Sequence, residues 1–169
     1  MNNATSDTDK TLNFWGWWII IAVDFTVIVG MIMALSPDFL HDLMISTYYE
    51  SLFGSNTYET LSAVERDFQS WAYGLIGAIM SGWLIVMSFI AYYAFRRGER
   101  WAWWAIVVSM VVWFVLDSYA SIAFGMSINM IFNIVSVIVF GIPIIATYRI
   151  FFAEANTASR ETFTSGQTA

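Results

Sequence analysis

Polar and apolar residues fall in long blocks along this chain. Four apolar runs stand out, over 14–35, 68–95, 101–124 and 128–152. A helix needs ~20 apolar residues to cross the ~30 Å hydrocarbon core of a bilayer, and each run is long enough. A spanning segment must satisfy its own backbone hydrogen bonds, and the absence of short alternating strand patterns leaves helices as the solution. The pattern therefore predicts an all-α, integral membrane four-helix bundle over 14–152.

The polar blocks punctuate it. Residues 1–13 read as a disordered tail and 153–169 as a second polar tail. The first run is too long for the core of a signal peptide, so the pattern predicts that it stays in the protein. The connection 36–67 is the long one. Ser36-Pro37 is a helix start, with Ser as N-cap and Pro at the first helical position. Phe39, Leu40, Leu43, Met44 and Tyr48 then recur at helical spacing up to Gly54. That spacing predicts an amphipathic helix over 37–53, lying on the membrane or capping the bundle. Ser62 and Glu65 fit a capping box, and Glu65, Arg66 and Asp67 read as a polar turn into the second span. Tight turns are predicted at 96–100 and around Gly125. Pro143, within the fourth span, is expected to kink or loosen it.

Composition agrees: 59% of the 169 residues are hydrophobic and only 12% charged, too apolar for an ordinary soluble domain. No cysteine is present, which excludes disulfides and thiolate chemistry, and one histidine, His41, excludes a multi-histidine metal or haem site within the chain. A net charge of −6 argues against a nucleic-acid partner. Neither a cofactor nor a metal is predicted. Asp38, His41 and Asp42 fall within one helical turn and could bind a divalent cation, but read first as a solvated helix face.

The basic residues decide the expected orientation. Lys10, Arg96, Arg97, Arg100, Arg149 and Arg160 fall on one side of the four spans, and Arg66 alone on the other. The positive-inside rule then puts both termini and the 96–100 turn in the cytoplasm of a multi-pass protein of the cell (plasma or inner) membrane. Trp15, Trp17 and Trp18, with Trp101, Trp103 and Trp104, suit the interface on that side.

Ionisable groups inside a span mark candidate chemistry, because they are costly there. Asp24 sits near the middle of the first span and Asp117 in the third. Ser109, Trp113, Asp117 and Ser121 recur every fourth residue and share a helix face. Asn129, Asn133 and Ser136 share one on the fourth. A short turn makes these spans antiparallel neighbours, so Asp117 and Asn133 come to similar depth in the outer half of the membrane. No basic residue lies deep in any span; Arg149 stands only at the cytoplasmic end of the fourth. Each acid must then be protonated, hydrated, bonded to amides or hydroxyls, or paired with an external cation. Asp24, Trp113, Asp117, Tyr119 and Asn133 are the candidate ligand-binding residues. The same polar groups could instead cross-link helices, at ~0.5–2 kcal/mol each. Trp83 and Trp113, within their spans, could line a pocket. Gly74, Gly77 and Ser81 form a small-residue face on the second span suited to close helix contact, within the chain or in a homo- or hetero-oligomer.

The layout resembles that of the EXPERA group, the sterol isomerase and sigma-2 receptor relatives. The residues that carry the likeness are the 90–109 junction, IAYYAFRRGERWAWWAIVVS, Asp67 ahead of Trp71, and Pro143 late in the last span. The resemblance implies an intramembrane pocket for a sterol-like or amine ligand contacted by carboxylates. It departs from that group in lacking an acid and a proline in the second span, so Asp24 and Asp117 would have to act from other helices. DoxX-like small membrane proteins share the layout more loosely.

The expected function is a membrane protein with a polar intramembrane pocket for a small lipophilic molecule. Two others stay open: an accessory or structural subunit of a larger membrane complex, and a proton- or ion-coupled transporter. No enzyme motif points to a reaction.

Overall fold

A computed structural model describes residues 2–36, 39, 54 and 60–165, with side chains over 7–36, 39, 54 and 60–152. The described residues form four long helices and no strand: α1 (Asn2–Leu35), α2 (Ala63–Tyr93), α3 (Arg100–Ala123) and α4 (Ser127–Ser165). All four are long and apolar enough to cross a membrane. The expected amphipathic helix over 37–53 lies outside the described residues, as do Asp38, His41 and Asp42.

Helix ends follow local chemistry. Ser62 and Glu65 form the expected capping box: Glu65 N donates to Ser62 Oγ at 3.3 Å, and Ser62 N donates to Glu65 Oε2 at 2.8 Å. It opens α2 directly, so Glu65, Arg66 and Asp67 lie within the first two helical turns rather than in a separate polar turn. A short 3₁₀ turn, Phe95–Arg97, joins α2 to α3, and Gly98 ends it at φ 74°, where only glycine is unstrained. Gly125 does the same between α3 and α4 at φ 70°.

Two expected tails are helical over most of their length. α1 begins at Asn2, and α4 runs to Ser165. The first contacts of α1 with the rest of the bundle come in its third and fourth turns. Leu12 is buried, and Asn13 Oδ1 accepts from Arg96 Nε at 2.8 Å.

α1 packs closely on α2, and α3 on α4, whereas the consecutive helices α2 and α3 barely touch. Two hairpins thus face each other. They meet tightly at the end that holds the 95–100 turn. There Phe95, Ala102, Trp103, Ile106 and Phe151 are buried together, with the Phe95 and Phe151 ring centres 5.0 Å apart. Arg96 sits over the rings of Trp17 and Tyr92, 4.9 Å from each, and Arg100 Nε donates to the Phe151 carbonyl at 2.8 Å. Further along, the hairpins part: no α3 residue between Ile106 and Ser118 is buried.

The α1–α2 seam closes on glycine. A Cβ at Gly77 would lie 2.4 Å from the Gly30 carbonyl oxygen. Ser81, one turn on, is buried and donates to the carbonyls of Gly77 (2.8 Å) and Val27 (3.3 Å). The Gly74/Gly77/Ser81 face is therefore packed within the chain, against α1.

Pro143 ties α1 to α4. Having no N–H, it leaves the Val139 carbonyl, four residues earlier, without its helical donor. Trp18 Nε1, from α1, donates to that oxygen at 3.0 Å. On the other side Trp103 Nε1 donates to the Ile144 carbonyl at 3.1 Å, and Thr147 Oγ1 to the Pro143 carbonyl at 2.7 Å. Trp18→Phe should therefore lower stability by ~1 kcal/mol. The loss should shrink in a Pro143→Ala background, where the restored backbone N–H serves Val139. A double-mutant cycle by thermal melting in detergent reads this coupling; an equal loss in both backgrounds would show that Trp18 serves something else.

Candidate functional site

Where the hairpins part, all four helices line a cavity of about 1080 Å³. Its wall is mostly apolar. α1 contributes Thr26, Val29 and Met33, and α2 contributes Tyr73 and Trp83 among others. From α3 come Ser109, Trp113, Asp117 and Ser121, and from α4 Asn129, Asn133 and Ser136. Both polar stripes legible in the sequence thus face the same space.

Its polar groups gather at the Gly125 end. Asn129 Nδ2 and Asn133 Nδ2 both donate to Asp117 Oδ2, at 2.5 and 2.6 Å. The second hydrogen of each amide is also engaged: Asn129 Nδ2 donates to Ser121 Oγ at 2.7 Å, and Asn133 Nδ2 to Ser118 Oγ at 3.3 Å. Ser121 Oγ in turn donates to the Asp117 carbonyl at 2.7 Å. Asn133 is only 2% exposed. The spacing explains the network. Asp117 and Ser121 are one turn apart on α3, Asn129 and Asn133 one turn apart on α4, and the Gly125 turn brings the two ladders level.

The arrangement fixes one carboxyl oxygen and leaves the other. Two amide donors saturate Oδ2, while among the described residues no donor meets Oδ1. The partners on Oδ2 come from α3's neighbour α4, so the carboxyl is held without a cation. The one ion pair among the described residues, Lys10 with Asp7, is far along the chain at the start of α1 (3.6 Å). Such a site can accept a hydrogen bond from a guest, with apolar and aromatic wall, including Trp83 and Trp113, around the guest's body. Among the described residues no three acidic or histidine side chains gather as a metal site would require.

Of the five candidate residues, the structure brings together Trp113, Asp117 and Asn133. It does not bring Asp24 or Tyr119 to them. Tyr119 is two residues past Asp117, ~200° around the helix, and is 74% exposed on the outer face of α3. Asp24 stands in the same relation to the cavity-lining Thr26 and is exposed on the outer face of α1. A lipid-facing acid at mid-span costs ~2.5–3.5 kcal/mol on insertion scales, so its position calls for a cause. The cavity also uses residues that periodicity did not single out. Thr26 and Tyr73 lie on helices with no acid pointing inward. Ser118, one residue off the Asp117 stripe, does not line the cavity but joins the network behind it through Asn133. Its signal was adjacency to the acid on the side that turns toward α4.

No family model, curated protein or solved structure matches this chain. The functional reading therefore rests on the geometry.

Proposed function

We propose that this protein binds a small lipophilic molecule in the cavity between its two hairpins, with Asp117 as the anchor. The observation that carries the reading is the half-satisfied carboxyl. Asn129 and Asn133 hold Oδ2, and Oδ1 is left to accept from a hydrogen-bond donor on the guest. A mostly apolar cavity of about 1080 Å³ suits a ligand that is otherwise greasy. The polar end orients it and the aromatic wall covers it. Binding without catalysis is the reading, because among the described residues no nucleophile–base pair accompanies the acid. The sequence's resemblance to the EXPERA group would imply a ligand of the same kind.

The protein crosses the cell membrane four times with both termini in the cytoplasm. In support, Lys10, Arg96, Arg97, Arg100 and Arg149 collect at one end of the bundle and Arg66 at the other. The polar end of the cavity is then in the outer half of the bilayer. The second reading, a subunit of a larger membrane assembly, is favoured by one observation, the unpartnered Asp24 on the outer face of α1.

The test is thermal stability of the purified full chain with and without a total lipid extract. The extract should raise the melting temperature of the wild type by several degrees and that of Asp117→Asn by much less. Equal shifts in the two proteins would remove Asp117 as the anchor.

A further inference from the structure

α1 presents an exposed stripe of Trp17, Ile21, Asp24, Ile28, Met31 and Leu35. The steps alternate four and three residues, the spacing of a left-handed coiled-coil seam. Spacing alone proves little, since any lipid-facing helix side in a bundle shows it. The corresponding mid-span stripes of α3 (Val108, Val111, Val115) and α4 (Ile134, Ile138, Ile142) are wholly apolar, and lipid satisfies them. The α1 stripe differs by one group. Asp24 lies at its centre, ~15 Å from either end of the apolar run. It has no hydrogen-bond partner among the described residues. Thr26, Val29 and Met33 point into the cavity from the opposite side of the helix, so a cavity ligand cannot supply one.

We infer that α1 packs along α1 of a second copy of this chain, with the two Asp24 carboxyls meeting across a twofold axis. Copies inserted in one membrane share an orientation, so their α1 helices run parallel. In a parallel symmetric seam every layer pairs a residue with itself. Isoleucine then meets isoleucine, methionine meets methionine, and Asp24 meets the one group on the stripe that can answer it. The two side chains can share a hydrogen bond across the axis, which lipid cannot offer. A foreign helix would need its own polar residue at the matching depth, whereas a second copy carries it necessarily. A single polar residue inside an apolar seam also fixes register, because any slip sets a carboxyl against hydrocarbon. The dimer requires no ligand and stands apart from the role of Asp117.

The chain has no cysteine, so single cysteines report contacts cleanly. In membranes containing the full chain, oxidation should link Ile21→Cys and Ile28→Cys into dimers and leave Val111→Cys, on the α3 face, monomeric. Energy transfer between labelled chains in phosphatidylcholine/phosphatidylglycerol vesicles should show association about tenfold weaker for Asp24→Leu. Asp24→Asn, which can still bond across the axis, should keep most of it. Three results would each overturn the inference: linkage at Ile21 no stronger than at Val111, capture of a different membrane protein in place of the second copy, or unchanged association of Asp24→Leu.

Discussion

Gly77→Leu should leave little folded protein, while Gly82→Leu, five residues along the same helix, should fold as well as the wild type. A Cβ at Gly77 would stand 2.4 Å from the Gly30 carbonyl oxygen, 2.6 Å from Met33 Cβ and 2.9 Å from the Ala34 nitrogen. Two of these are backbone atoms of α1, held by α1's own hydrogen bonds, and cannot rotate away. Even one methyl therefore forces the helices apart by about 1 Å. That opening strips contact along the whole seam and strains the Ser81 bond to the Val27 carbonyl. Overpacking by single methylenes typically costs ~1–3 kcal/mol, so Gly77→Ala should fall in that range and Gly77→Leu beyond it. A Cβ at Gly82 meets nothing within 4 Å, and removing a helical glycine gains ~0.5–1 kcal/mol. Monodisperse yield and melting temperature in detergent read both. A Gly77→Leu protein that melts like the wild type would mean that α1 and α2 do not cross there.

That contrast shows which parts of the fold were legible in the sequence. Helix number, the capping box at Ser62 and Glu65, and the turns at Gly98 and Gly125 are local matters, set by hydropathy, side-chain reach and positive φ. The faces of helices were legible too: steps of three and four put the Asp117 and Asn133 stripes each on one face, and both line the cavity. What spacing cannot give is the neighbour that a face meets. The Gly77 and Ser81 face was readable as a close-contact face, but only the assembled bundle shows that α1 fills it. Asp24 and Tyr119 fail for the same reason. Depth and polarity nominated them, but a shift of two residues turns a side chain to the far side of its helix. Trp18 and Trp103 were readable as interfacial residues. Their N–H bonds to the Val139 and Ile144 carbonyls depend on how α4 lies between α1 and α3. The candidate site was thus half legible. The α3–α4 ladder came from sequence, and its apolar wall from α1 and α2 came from packing.

The Asp117 cluster should show an inversion: removing one member should hurt more than removing three. Asp117→Leu takes away the acceptor for both Asn129 and Asn133. Asn129 retains Ser121, but Asn133, buried at 2% exposure, keeps only the 3.3 Å contact with Ser118. An orphaned buried donor costs ~1–3 kcal/mol, so this variant should lose ~2–4 kcal/mol. Replacing Asp117, Asn129 and Asn133 together by leucine leaves no donor waiting for an acceptor. Exchange of a whole buried polar set for apolar groups is often neutral or stabilising, so the triple variant should melt within ~1 kcal/mol of the wild type. Stability and binding then separate. A bound guest adds RT ln(1 + [L]/Kd), ~2.7 kcal/mol at a hundredfold excess over Kd. If Asp117 anchors a ligand, the folded triple variant loses the stabilisation that lipid extract gives the wild type. If the cluster only fastens α3 to α4, both proteins respond to the extract alike, because the leucines fasten the hairpin as well and the guest never touched the acid.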